Sequence, residues 1–133
     1  MLKLTITKGI FEEMLKQARA EAPIEACGIL AGKSGQVGKL YKMTNADLSN
    51  EHFTMTPEEQ FIVVKDIRAN DLEMLAIYHS HPETPARPSQ EDIRLALTPD
   101  VVYVILSLLN EPVIKGFVIE NNKVTHVPIE IIG

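Results

Sequence analysis

The stretch YHSHPETPARPSQED, Tyr78 to Asp92, sets two histidines one residue apart at the end of an apolar run, then a proline-punctuated loop, then Ser-x-x-Asp. In a strand, side chains at i and i+2 share a face, so the run Met74–Tyr78 delivers His79 and His81 together, with Ser80 turned away. Pro82 cannot donate to a continuing ladder. The strand is therefore expected to end there, with the histidine pair at an accessible sheet margin.

Working outward, helices and strands alternate around this stretch. LKLTIT (Leu2–Thr7) alternates like a half-buried strand. Thr7 can cap a helix carrying Ile10, Phe11, Met14, Leu15 and Ala18 at helical spacing, which should stop near Pro23. ACGILAG reads as a buried strand, and GQVGKLYKMTN as a second one after a glycine-rich turn at Lys33–Gly38. Asp47 to Phe53 is polar and loop-like. Thr56, Pro57 and Glu59 form a capping-box start for a helix running to about Asn70. SQEDIRLAL opens a third helix, expected to close before Pro99. VVYVILSLL is a buried strand, and VIKGFVIE and KVTHVPIEI flank Asn121-Asn122 as a hairpin. The pattern predicts an α/β layered domain on a mixed, twisted sheet.

Composition limits the function. The chain has 133 residues, enough to bury a core as one domain, residues 1–133. Its 45% hydrophobic and 23% charged content excludes a disordered chain. A net charge of −5 without clustered Lys and Arg argues against a nucleic-acid partner. MLKLTITKGIF lacks a secretory apolar region and VVYVILSLL is too short to span a bilayer, so no membrane association and a cytoplasmic location are expected. Cys27 is the one cysteine, which rules out an internal disulfide and a multi-thiolate zinc site. A metal would have to be held by His, Asp or Glu.

His79, His81 and Asp92 make such a set. Two nitrogens and one oxygen suit zinc, and a fourth position left to water marks a catalytic site. Ser89 reads as the N-cap of the helix that Asp92 enters. A hydrolase also needs a group to move a proton to the leaving amine. Glu25 is the candidate, an acid at the entrance of an otherwise apolar strand, where burial would raise its pKa. Cys27 shares that strand face and is expected to be a buried core residue. His52 and His126 lack spaced partners and are read as loop and hairpin residues. Glu83 and Glu91 are expected to face water. Arg87 is a candidate partner for a substrate carboxylate.

Glu25, then His79-Ser80-His81-Pro82, seven residues to Ser89 and two more to Asp92, resemble at every position the JAMM signature of the MPN (Mov34/PAD-1) metalloprotease family. EACGILAG and FTMTPEEQF also resemble family segments. The resemblance implies a cytidine-deaminase-like α/β/α fold and a zinc-dependent isopeptidase or peptidase. It implies zinc (Zn2+) on His79, His81 and Asp92, Glu25 as general acid/base, and Ser89 as oxyanion stabiliser. The short Asp47–Phe53 loop and the ARPS run resemble small bacterial members. Those release adducts from the C-terminal Gly-Gly of ubiquitin-like sulfur-carrier proteins, which would then be the partner here. The competing reading is a non-catalytic MPN scaffold that binds protein partners. A base deaminase would need Pro-Cys-x-x-Cys, and a zincin His-Glu-x-x-His; neither occurs.

Overall fold

The computed structural model describes residues 3–133. The chain runs β1 (Leu4–Thr7), α1 (Lys8–Glu21), β2 (Cys27–Lys33), β3 (Gln36–Met43), α2 (Pro57–Ala69), β4 (Glu73–His81), α3 (Gln90–Arg94), β5 (Val102–Ser107), β6 (Val113–Glu120), β7 (Lys123–Val127) and β8 (Ile129–Ile132). The first strand is thus shorter than Leu2–Thr7; Leu2 lies outside the described residues. The strands form one mixed sheet in the order β7-β6-β5-β4-β2-β3-β1-β8. β1 is parallel to β3 and β8, and β4 to β5; the other pairs are antiparallel.

Side-chain alternation at β2 places a helix on each face. Ala26 and Leu30 point toward Met14 and Ala18 of α1. Cys27, Ile29 and Ala31 point the other way, toward Val63 and Ile67 of α2. Met14 is fully buried, and burial of such a side chain contributes about 1.5–3 kcal/mol. Gly28 is required in the layer between: a Cβ there would lie 2.7 Å from the Tyr41 carbonyl oxygen and 2.8 Å from the Tyr78 ring. The Tyr78 hydroxyl donates to Gln17 Oε1 (2.6 Å), and Gln17 Nε2 donates to the Cys27 carbonyl (3.0 Å), so α1 is bonded to the strands that carry the site. Among the described residues, no helix is long and apolar enough to cross a membrane.

Four expectations need correction. The β2–β3 turn is confined to Ser34 and Gly35, both at positive φ, so pairing resumes at Lys33–Gln36. Thr56 does cap α2 by accepting from the Glu59 N–H (3.2 Å), but the Glu59 carboxylate bonds the N–H and hydroxyl of Thr44 instead of closing a capping box. The third helix ends at Arg94, well before Pro99. Leu97 is 81% exposed, and a short segment that packs little more than Ala96 has little reason to continue as helix. KVTHVPIEI is not one hairpin strand. Asn121 and Asn122 at positive φ turn β6 into β7, but Pro128 has no N–H to give and the chain leaves the hairpin there. Ile129–Ile132 pairs instead with β1, and the Pro128 carbonyl accepts from Leu4 N–H (2.9 Å). The sheet is therefore curled until its two outermost strands are separated by a single residue.

Candidate active site

β4 runs through His81, one residue short of Pro82, and presents both imidazoles on one side. Their Nε2 atoms are 3.1 Å apart. Asp92, in the first turn of α3, reaches both: Oδ1 lies 3.2 Å from His79 Nε2 and Oδ2 lies 2.9 Å from His81 Nε2. The Asp92 carboxylate is oriented by the helix cap, since Ser89 N–H donates to Oδ2 (2.9 Å) while Asp92 N–H donates to Ser89 Oγ (3.0 Å). This capping box is complete. It uses only the accepting side of Ser89 Oγ, so the hydroxyl hydrogen remains available to a second partner.

Glu25 stands two residues before β2 and is 3% exposed. One ligand-type atom from each of Glu25, His79 and His81 lies within 4.8 Å of the others. Glu25 Oε1 is buried with no hydrogen-bond partner. Its position is set through the backbone. Ala26 N–H donates to Ser80 Oγ (2.8 Å) and Ser80 N–H to the Ala26 carbonyl (2.9 Å), which ties the Glu25 segment to the histidine segment. Glu25 N–H donates to the Ser49 carbonyl (2.9 Å), and its own carbonyl accepts from Asn45 Nδ2 (3.0 Å).

Asn45 is the residue that the sequence pattern does not reveal. It is 2% exposed. Its Nδ2 also donates to the carbonyls of Ser49 and His52, and its Oδ1 accepts from the N–H groups of Asp47 and Thr54. One amide thus shapes the whole 45–54 loop. That loop brings Phe53 against His79, ring centroids 4.8 Å apart at 27°.

The electrostatics follow from burial. Burial pushes the Glu25 carboxyl up to about 8, with nearby His81 opposing and Asp92 adding to the rise. Burial lowers His79. Burial also pulls His81 down, but its bonds to Asp92 and the Pro85 carbonyl outweigh this and leave it above its ordinary value. For Asp92 burial works upward, yet hydrogen bonds from His79 and His81 hold it far below the usual carboxylate range. Cys27 is buried and its thiol is pushed up to about 12, an inert core residue rather than a thiolate.

This donor set fits a metal ion. His81 Nδ1 lies 2.8 Å from the Pro85 carbonyl, so Nδ1 can keep its proton while Nε2, the nitrogen beside Asp92 and His79, gives up its own to a metal. A tetrahedral ion with bonds of about 2.0–2.1 Å keeps its ligand atoms about 3.3 Å apart. The two imidazole nitrogens, 3.1 Å apart, are close to that edge length, and the Asp92 carboxylate spans the pair with one oxygen near each. His79 Nδ1 is buried without a partner, so its ring is oriented by Phe53 packing rather than by the usual second hydrogen bond.

The remaining expected positions are peripheral. Glu83 and Arg87 are exposed, and Glu91 pairs with Arg94. Arg87 makes no ion pair among the described residues. His52 is a loop residue bonded to Asp47 and Ser49, and exposed His126 meets the edge of the Phe117 ring.

Residues 7–120 match the profile of the prokaryotic homologs of the JAB domain. The CysO-cysteine peptidase of Mycobacterium tuberculosis is 33% identical over 133 residues, covering 97% of this chain and 91% of that protein. The desampylase of Pyrococcus furiosus is 30% identical over 127 residues, covering 95% and 89%. A protein of Desulfitobacterium hafniense, known from its solution structure, is 46% identical with a TM-score of 0.88 over 96% of this chain and 92% of its own. With its signature residues gathered at one point and the match extending over most of its length, this chain belongs to the JAMM/MPN family, among the prokaryotic homologs of the JAB domain.

Proposed function

We propose that the chain is a zinc-dependent peptidase or isopeptidase that cleaves the amide after the C-terminal Gly-Gly of a ubiquitin-like or sulfur-carrier protein. It would act in the cytoplasm, with residues 1–133 as one catalytic domain of cytidine-deaminase-like layering. The observation that carries this reading is a buried, unpartnered Glu25 carboxyl oxygen beside two converging imidazoles. A helix on each face of the sheet supports the layering. The names of the two relatives, a peptidase of a CysO-cysteine adduct and a desampylase, support the substrate class.

In this reading His79, His81 and Asp92 hold the zinc. When bound, zinc acidifies a water and polarises the scissile carbonyl. Glu25 accepts the proton of the attacking water at Oε1, the buried oxygen with no hydrogen-bond partner, and returns it to the departing amine. The Ser89 hydroxyl, with only its accepting side used by the cap, donates to the developing oxyanion. A Gly-Gly tail has no side chains to keep it from the centre.

The test is zinc titration by calorimetry on wild type and Asp92→Ala, together with cleavage of a sulfur carrier extended beyond its Gly-Gly. The reading predicts stoichiometric zinc, at least roughly tenfold weaker binding in the variant, and release of the extension by wild type. A wild-type protein that takes up no zinc and leaves the carrier intact would instead be the non-catalytic scaffold.

A further inference from the structure

A hollow of about 170 Å³ opens beside His79 and Asp92, on the α2 face of the sheet. Its apolar walls are Phe53, Met55, Ile77, Ile105 and Ile119, and polar groups of Tyr103, Gln60, Thr98 and His52 also line it. We propose that it receives the side chain of the residue whose amine is released, and that it selects a neutral, apolar side chain. This inference rests on the hydrolase reading above and adds the identity of the leaving group.

Three observations carry it. The hollow adjoins two of the residues assigned to zinc, so whatever fills it flanks the scissile amide. The carbonyl side of that amide is glycine, which has no side chain to offer; the group that enters must belong to the amine side. The volume is below the roughly 300–1,000 Å³ of a site for a drug-sized ligand. It is close to the cavity of about 150 Å³ that holds a benzene-sized group. One side chain fits it, and an extended segment does not.

The chemistry of the lining sets the selectivity. The Tyr103 hydroxyl accepts from Thr98 N–H at 3.0 Å, and Gln60 Nε2 donates to the Met55 carbonyl. His52 is engaged by Asp47 and Ser49, and Asp92 by the two histidines and Ser89. A charged side chain entering here would lose its water while the polar groups of the lining are already engaged with one another. An apolar one loses only exposure.

The experiment uses the zinc-loaded protein and a set of carriers ending Gly-Gly-X, where X is a single Gly, Ala, Val, Met, Phe, Asp or Lys. Hydrolysis adds water across the Gly–X amide, giving the carrier carboxylate and the free amino acid X. The expected result is kcat/KM for Met above that for Gly by roughly tenfold to hundredfold, with Asp and Lys no better than Gly. Ile77→Phe narrows the hollow and should collapse the Met-to-Gly ratio; Ile105→Val widens it and should move the preference toward Phe. The wild-type series decides the matter even if one variant fails to fold. Equal rates for every X, or a preference for Asp or Lys, would overturn this inference while leaving the hydrolase reading intact. Cleavage of no member would overturn both.

Discussion

Glu25→Gln should make the zinc-free protein more stable at alkaline pH, even though it removes the group assigned to proton transfer. In the folded chain the Glu25 carboxyl titrates at about 8, against an ordinary value of 4.5, because burial penalises its charged form. Between those two values the folded protein keeps a proton that the unfolded chain releases. Wild-type stability therefore falls as pH rises through this window and levels off above it. Each pH unit corresponds to about 1.4 kcal/mol, so the full rise is worth about 5 kcal/mol, an upper limit because water can enter a site this close to the surface. Glutamine keeps the shape and does not titrate. The variant's advantage should be near zero at pH 4.5 and several kcal/mol at pH 8.5. Urea unfolding of both proteins in chelator at several pH values measures it. Taking the difference largely cancels Asp92, which stabilises above its unfolded pKa, and His81, which stabilises below its unfolded pKa; both proteins retain these groups. A difference that stays flat from pH 5 to 8.5, or a variant that is less stable at pH 8.5, would refute the reasoning.

Asn45→Ala should cost about 3 kcal/mol or more, because four backbone groups, the carbonyls of Glu25 and His52 and the N–H groups of Asp47 and Thr54, lose their partner at once; thermal unfolding measures this, and turnover should fall with it as the Glu25 segment loosens. Tyr78→Phe leaves Gln17 Oε1 buried without its donor and should destabilise by about 1–3 kcal/mol in the same assay. The Tyr78 hydroxyl lies on the α1 side, away from the histidines, so kcat should be retained. Arg87→Ala should lower kcat/KM for substrates that release a free amino acid if its exposed guanidinium meets the α-carboxylate; an unchanged kcat/KM would remove Arg87 from the site.

What was legible in the sequence was whatever depends on neighbours along the chain. The i, i+2 relation of His79 and His81, the Ser89 cap, and the Thr7 and Thr56 helix starts are local, and each appears where its spacing places it. The entry of β2 from a buried acid was legible for the same reason. The misses that bear on the sheet and the site are contacts between distant segments or competition for a partner. Glu59 has a capping geometry within reach but is taken by Thr44, which arrives from β3. Pro128 reads as a blemish in one strand until the curled sheet brings β1 beside the residues that follow it. Asn45 carries no motif, since four of its five partners lie in a loop whose shape it creates and the fifth, Glu25, is twenty residues away. The Ser80–Ala26 bonds join residues 54 apart, and only pairing of β2 with β4 puts them together.

The central claim is that Glu25 moves the proton in a zinc-dependent amide hydrolysis. The most direct test loads wild type and Glu25→Gln with equal zinc, verified by metal analysis, and follows release of a residue appended to a Gly-Gly carrier. The account predicts equal metal content and turnover lower by at least roughly a hundredfold in the variant, the scale of general acid–base catalysis. A zinc-loaded Glu25→Gln protein that turns over at the wild-type rate would contradict it.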